Sequence, residues 1–73
     1  MSIGKRAAQL IKERAWKNGT SFAHECSEIQ CSDVQMRAWN REKASPSARV
    51  LAEMLQQGYD IEYILLGGNN GKT

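Results

Sequence analysis

An all-α domain of five short helices is what this 73-residue sequence predicts, and three observations predict it. Apolar residues recur at spacings of three, four and seven. They never alternate over more than four residues, so the period is that of a helix and not of a strand. Helix-starting Ser and Asp residues take turns with helix-stopping Gly residues along the chain, as punctuation does. Length supplies the third bound. One core is all that fits, and a chain this short buries only ~60% of the surface its unfolded form exposes. A large enzyme pocket is not expected, while 41% hydrophobic residues are enough to exclude wholesale disorder.

The first helix is expected from Ser2 or Ile3 to Lys17, with Ile3, Ala7, Leu10, Ile11 and Ala15 on one face and Asn18-Gly19 as its stop. Trp16, near its end, is expected to be half-buried. The second helix takes Ser21 as N-cap and carries Phe22, Cys26 and Ile29 as its apolar stripe. Its polar side presents His24, Glu25 and Glu28, and it stops near Gln30. The third opens on Ser32-Asp33-Val34-Gln35, a capping-box pattern, and buries Met36 and Trp39. The fourth is expected to start with Ser45 as N-cap and Pro46 at the first helical position. Val50, Leu51, Met54 and Leu55 form its apolar face, and Gly58 caps it. The fifth begins at Asp60 and offers Ile61, Ile64, Leu65 and Leu66. The domain therefore spans residues 1–67, and the Gly-Gly-Asn-Asn-Gly run leaves 68–73 as a flexible tail.

Charge is uneven. The net +2 divides into nine basic and five acidic residues over 1–50 against one and three over 51–73. Lys5, Arg6, Lys12, Arg14 and Lys17 are either phosphate-neutralising cations or a solvated helix face. No apolar run approaches the ~18–20 residues of a membrane span, and charges interrupt the N-terminal stretch where a signal peptide would need an apolar centre. Cys26 and Cys31 are only five apart, so a bridge between them would staple little. The expectation is a cytoplasmic protein, in a bacterial cell or phage-infected host, with reduced thiols. His24, Cys26 and Cys31 lack metal-ligand spacing, no nucleophile–base–orienter set is present, and no metal, cofactor or small-molecule ligand is implied. An enzyme is not expected.

The connection Gln30-Cys31-Ser32 is too short for an antiparallel hairpin packed along its length. It suits two short helices crossing at ~90–120°, a helix-turn-helix. With Met36 and Trp39 inward, Asp33, Val34, Arg37 and Ala38 are left on the outer face of the third helix.

Ser21, Cys26, Ser32, Trp39, Pro46-Ser47, Gly58-Tyr59-Asp60, Tyr63-Ile64-Leu65 and Gly67 follow a known order of residues. The run from Thr20 to Gly67, about two-thirds of the chain, resembles the lambda-repressor/Cro class of helix-turn-helix proteins (the XRE-like family), its phage repressors in particular. Four positions depart from that pattern. Gln30 stands where the turn usually has Gly, and Phe22 where a phosphate-touching Gln is common. Ala15 and Asn40 replace a buried Arg–Glu pair, and Arg41-Glu42-Lys43 replaces a Gly after the recognition helix.

The resemblance implies a compact five-helix DNA-binding domain acting as a transcription regulator, a repressor or Cro-like protein whose third helix enters the major groove of a double-stranded operator. It implies that Asp33, Val34 and Ala38 face base edges with Arg37 beside them, a carboxylate suiting cytosine N4 and an aliphatic group the thymine methyl. Ser21, Ser32, Gln35, Arg41 and Lys43 would hold the phosphates, which set register. Ile61, Tyr63, Ile64 and Leu65 would make a homodimer contact, letting the domain read two half-sites ~34 Å apart. The alternative is a small protein-interaction module, antirepressor- or antitoxin-like, that uses the apolar fifth helix on a protein partner.

Overall fold

Short helices form here because their ends are closed. The computed structural model describes residues 1–67, and five helices follow one another in them: α1 (Ile3–Asn18), α2 (Phe22–Glu28), α3 (Asp33–Asn40), α4 (Ala48–Gln56) and α5 (Ile61–Leu66). No strand occurs among the described residues. Every helix opens on a side chain that accepts the backbone N–H three residues on: Ser2 from Lys5, Ser21 from His24, Ser32 from Gln35, Ser47 from Val50, Asp60 from Tyr63. Each cap is worth about 1 kcal/mol. That decides the matter for helices of six to nine residues, which do not persist alone. The capping box at α3 is complete, with Gln35 Oε1 accepting the Ser32 N–H at 3.0 Å.

The start of α4 corrects the expectation. Ser47, not Ser45, is its N-cap, its Oγ accepting from Val50 N at 3.2 Å, and Pro46 lies buried just ahead of the cap instead of inside the helix. Both registers satisfy the local rule for a hydroxyl before a helix. Burial of the Pro46 ring selects the later one.

The first four helices end alike. The N–H groups of Thr20, Cys31, Lys43 and Tyr59 return to the carbonyls of Ala15, Cys26, Ala38 and Met54 at 2.9–3.0 Å. This closure requires the preceding residue to be left-handed. Gly19 and Gly58 supply that conformation at φ 69° and 89°, whereas Gln30 and Glu42 adopt it at 58° and 61° with a Cβ in place. The two departures from glycine seen in the sequence therefore leave the turns intact, at a cost in backbone strain.

α1 is the hub, packing against α2, α3 and α5, while α2 lies on α3 and α4 on α5. Ala7, Ala8 and Ile11 of α1 meet Cys26, Ile29, Met36, Trp39, Val50, Met54, Tyr59 and Ile64 in one core. Gly4 permits the close approach of α1 to the end of α3: an added Cβ would strike the Ala44 carbonyl oxygen and stand 3.1 Å from the Trp39 backbone.

Three apolar side chains lie outside the core they were expected to join. Trp16 is 87% exposed, Leu55 is 62% exposed, and Phe22 is 42% exposed. Trp16 and Leu55 each follow a buried residue, Ala15 and Met54, and one step along a helix turns a side chain about 100° off the buried stripe. Glu25 of α2, expected on the polar side, is buried. Its Oε2 accepts from Thr20 Oγ1 at 2.5 Å and from Asn18 Nδ2 at 3.4 Å, tying the end of α1 to α2. Those donors satisfy the carboxylate, as burial of a charge demands. No helix among the described residues is long and apolar enough to cross a membrane. The expectation of a flexible tail at 68–73 lies outside the described residues.

Candidate nucleic-acid interface

The outer face of α3 follows from what its inner face must do. Met36 and Trp39, 1% and 2% exposed, anchor the helix on the core. Helical geometry then turns Val34, Arg37, Ala38 and Arg41 to the opposite side. Val34 is 68% exposed, and Arg37 and Arg41 are exposed with it, while Ala38 and Asp33 sit half-buried on the flanks. Asp33 and Arg37, one turn apart, form an ion pair at 3.2 Å. The pair holds both groups at the opening of the helix and offsets the repulsion a lone carboxylate would present to an anion.

The residues expected to position phosphates surround that face. Ser21 and Ser32 are exposed N-caps of consecutive helices, each Oγ accepting a backbone N–H at 3.1 Å. Gln35 is exposed, and its Oε1 is engaged by the capping box, leaving its amide NH2 outward. Arg41 and Lys43 are exposed beyond the last turn of α3, held by the closure in which Lys43 N bonds to Ala38 O. Ser32, Gln35, Arg37, Arg41 and Lys43 are thus carried by one helix and its two ends. Ser21 is contributed separately, from the start of α2.

The basic residues of α1 are largely employed elsewhere. Arg6 donates through Nε to Ile64 O at 2.8 Å and through a terminal nitrogen to Leu65 O at 3.4 Å, and it also reaches the Met1 carbonyl. Arg14 donates to Gln57 O at 2.6 Å, and its guanidinium lies 3.7 Å above the centre of the Tyr59 ring. Lys12 Nζ contacts Asn40 Oδ1 at 3.3 Å. Two of the five cations therefore satisfy carbonyls at the ends of α5 and α4, where the helix dipole favours positive charge. Neither the phosphate reading nor the solvated-face reading of the sequence anticipated this. Their spacing carries little signal, since Arg6 and Arg14, eight apart, stand about 80° from each other around α1.

Helix α5 divides its apolar residues differently from the expectation. Ile64 is fully buried within the chain, and Ile61 and Tyr63 are half-buried against the core, with Tyr63 Oη donating to Gln9 Oε1 at 2.7 Å. Ile64 is a core residue of this chain, and of the four residues expected at a homodimer contact Ile61, Tyr63 and Leu65 keep exposed surface. The side chains α5 offers outward are Leu65 and Leu66, 45% and 74% exposed. Trp16 and Phe22 make a second apolar surface, flanking a groove of about 410 Å³ with Lys12 and Thr20. His24 is solvated and 3.8 Å from Glu28. Comparison with family models, with curated proteins and with solved structures returned no match to this chain.

Proposed function

We propose that the chain is a non-enzymatic regulator that binds double-stranded DNA, places α3 in the major groove, and acts as a homodimer on a partly symmetric operator in the cytoplasm. The observation that carries this reading is the outer face of α3. A helix anchored by Met36 and Trp39 presents Val34, Arg37 and Arg41 outward, with capped Ser32 at one end and Lys43 at the other. Two short helices, α2 and α3, meet through a tight left-handed turn at Gln30, which supports the helix-turn-helix reading of the sequence. The resemblance of Thr20–Gly67 to the lambda-repressor/Cro class supports the same reading and supplies its repressor sense.

In this mechanism Arg41 and Lys43 neutralise phosphates, Ser21, Ser32 and Gln35 set the register, and Val34 and Ala38 meet thymine methyl groups. Asp33 and Arg37 work as a unit. On approach to DNA the ion pair opens toward a cytosine amino group and a guanine edge, each partner exchanging one charge-assisted contact for another.

The test is binding to duplex DNA across a salt series, comparing the natural chain with an Arg37→Ala, Arg41→Ala double variant. Removing two cations is expected to weaken binding and to flatten the slope of log affinity against log salt by about 1–2. Binding that ignores salt, or that the double change leaves untouched, contradicts the reading. The exposed Leu65, Leu66 and Trp16 favour a second reading, a protein-interaction module. A partner bound through these residues would survive the double change and be lost on Leu65→Glu, Leu66→Glu.

A further inference from the structure

The chain has two cysteines, and the turn between α2 and α3 brings them together. The Cys26 carbonyl accepts the closing N–H of Cys31 at 3.0 Å. Bond lengths alone then keep the two Cα atoms within ~7 Å, about the outer limit for a disulfide. In this type of helix closure the bonded residues carry their side chains to the same side, where an apolar pair commonly sits. Two free thiols occupy that place here.

The thiols are not equivalent. Cys26 is fully buried, whereas Cys31 is partly open to solvent. The neighbouring Cys31 thiol, together with burial, pushes the Cys26 thiol well above the ordinary thiol value. Cys26 in turn holds Cys31 below it against the effect of burial, and the positive charge of Arg49 adds to the lowering. Arg49 is placed for this by a bond to the Gln30 carbonyl, 3.3 Å away in the turn. Asp33 and Glu25 add negative charge around Cys26 and oppose its ionisation.

We propose that Cys26 and Cys31 form a reversible dithiol–disulfide site whose substrate is a small disulfide of the glutathione type. Cys31, the accessible thiolate, attacks one sulfur of glutathione disulfide. The S–S bond breaks, and one glutathione leaves as a thiolate that water protonates. Cys31, now a mixed disulfide, no longer carries the charge that kept Cys26 protonated. Cys26 gives its proton to solvent, attacks the Cys31 sulfur and expels the second glutathione thiolate. The two protein thiols lose two electrons and become one disulfide, and one glutathione disulfide becomes two glutathione molecules. Excess reduced glutathione runs the exchange backward. Burial sets the order of events, since only Cys31 can be attacked from solvent or attack first. The site stands apart from the DNA-binding reading and does not depend on it.

The experiment treats the folded full chain with glutathione disulfide and follows its intact mass. The natural chain is expected to lose the mass of two hydrogens. Cys26→Ser is expected to stop at a glutathione adduct on Cys31, and Cys31→Ser to stay unmodified over the same time. Arg49→Gln in the Cys26→Ser background should slow adduct formation several-fold. Accumulation of a stable mixed disulfide on the natural chain overturns the proposal, as does a Cys31→Ser chain that reacts as fast as Cys26→Ser. Because Cys26→Ser alters the core, alkylation of the natural chain with iodoacetamide gives an independent readout. Labelling at Cys31 before Cys26 is expected, and equal labelling of both contradicts the assignment.

Discussion

Tyr59 carries the only buried side-chain polar atom without a hydrogen-bond partner among the described residues. Its ring packs in the core under the Arg14 guanidinium, and burial pushes its hydroxyl up to about 12, with Arg14 pulling partly the other way. Between pH 10 and 12 the unfolded chain therefore releases this proton while the folded chain keeps it. Stability is fully present below that window and falls through it, by about 3 kcal/mol in total. Tyr59→Phe deletes an unsatisfied group, so it is expected to be neutral or to stabilise by up to about 1 kcal/mol near pH 7. It should also remove its share of the alkaline loss, which urea midpoints of the two chains across pH 9–12 will show; a variant that loses more than about 1 kcal/mol at pH 7 contradicts the unpartnered hydroxyl. Trp16 gives a second check at this scale. Acrylamide should quench its fluorescence strongly, and Trp16→Phe should leave only the protected emission of Trp39, which is 2% exposed. Burial of Trp39 was readable from its spacing to Met36. The exposure of Trp16 and the burial of Glu25 were not, because residue type argued for the opposite and only the tertiary positions of Asn18 and Thr20 decide where that carboxylate goes.

Most elements could be read from local chemistry, since Ser21, Ser32 and Asp60 sit at their caps and Gly19 and Gly58 at their stops. The error of two residues at α4 arose where Ser45 and Ser47 both satisfy the local rule and packing of Pro46 chooses between them. Gln30 and Glu42 show the converse, turns held by closure in spite of unsuitable residues. Gln30→Gly and Glu42→Gly each relieve a left-handed Cβ while making the unfolded chain looser, for a net gain of about 0.5–1 kcal/mol. Thermal midpoints should rise by about 3–6 °C per change, and a fall at either site would contradict the left-handed geometry. Gly4→Ala tests the packing of α1 on α3. Helix propensity favours Ala by about 1 kcal/mol, but the added Cβ would meet backbone at Ala44 and Trp39, which shifts only at a cost. A net loss of about 1–3 kcal/mol is expected in chemical denaturation; a gain would show that the helices do not approach so closely.

Across the whole molecule, charge does two jobs that the sequence presents as one. Arg6 and Arg14 hold the ends of α5 and α4 to α1, whereas Arg41 and Lys43 are exposed just beyond α3 and Arg37 is exposed on it while paired with Asp33. Arg6→Ala should therefore lower stability and leave DNA affinity per folded molecule nearly unchanged, the reverse of the effect expected for Arg41→Ala. The outer face of α3 was readable because two buried residues, Met36 and Trp39, fix the orientation of an eight-residue helix. The outer surface of α5 was less so, because how far Ile64 is buried depends on the helices packed around it, and the exposed pair proves to be Leu65 and Leu66. The most direct measurement is selection of binding sites from a random duplex DNA pool at two salt concentrations. A dimer reading the major groove should select a partly palindromic motif with half-sites ~10 bp apart and an affinity that falls as salt rises. A pool that shows no enrichment at either salt contradicts it.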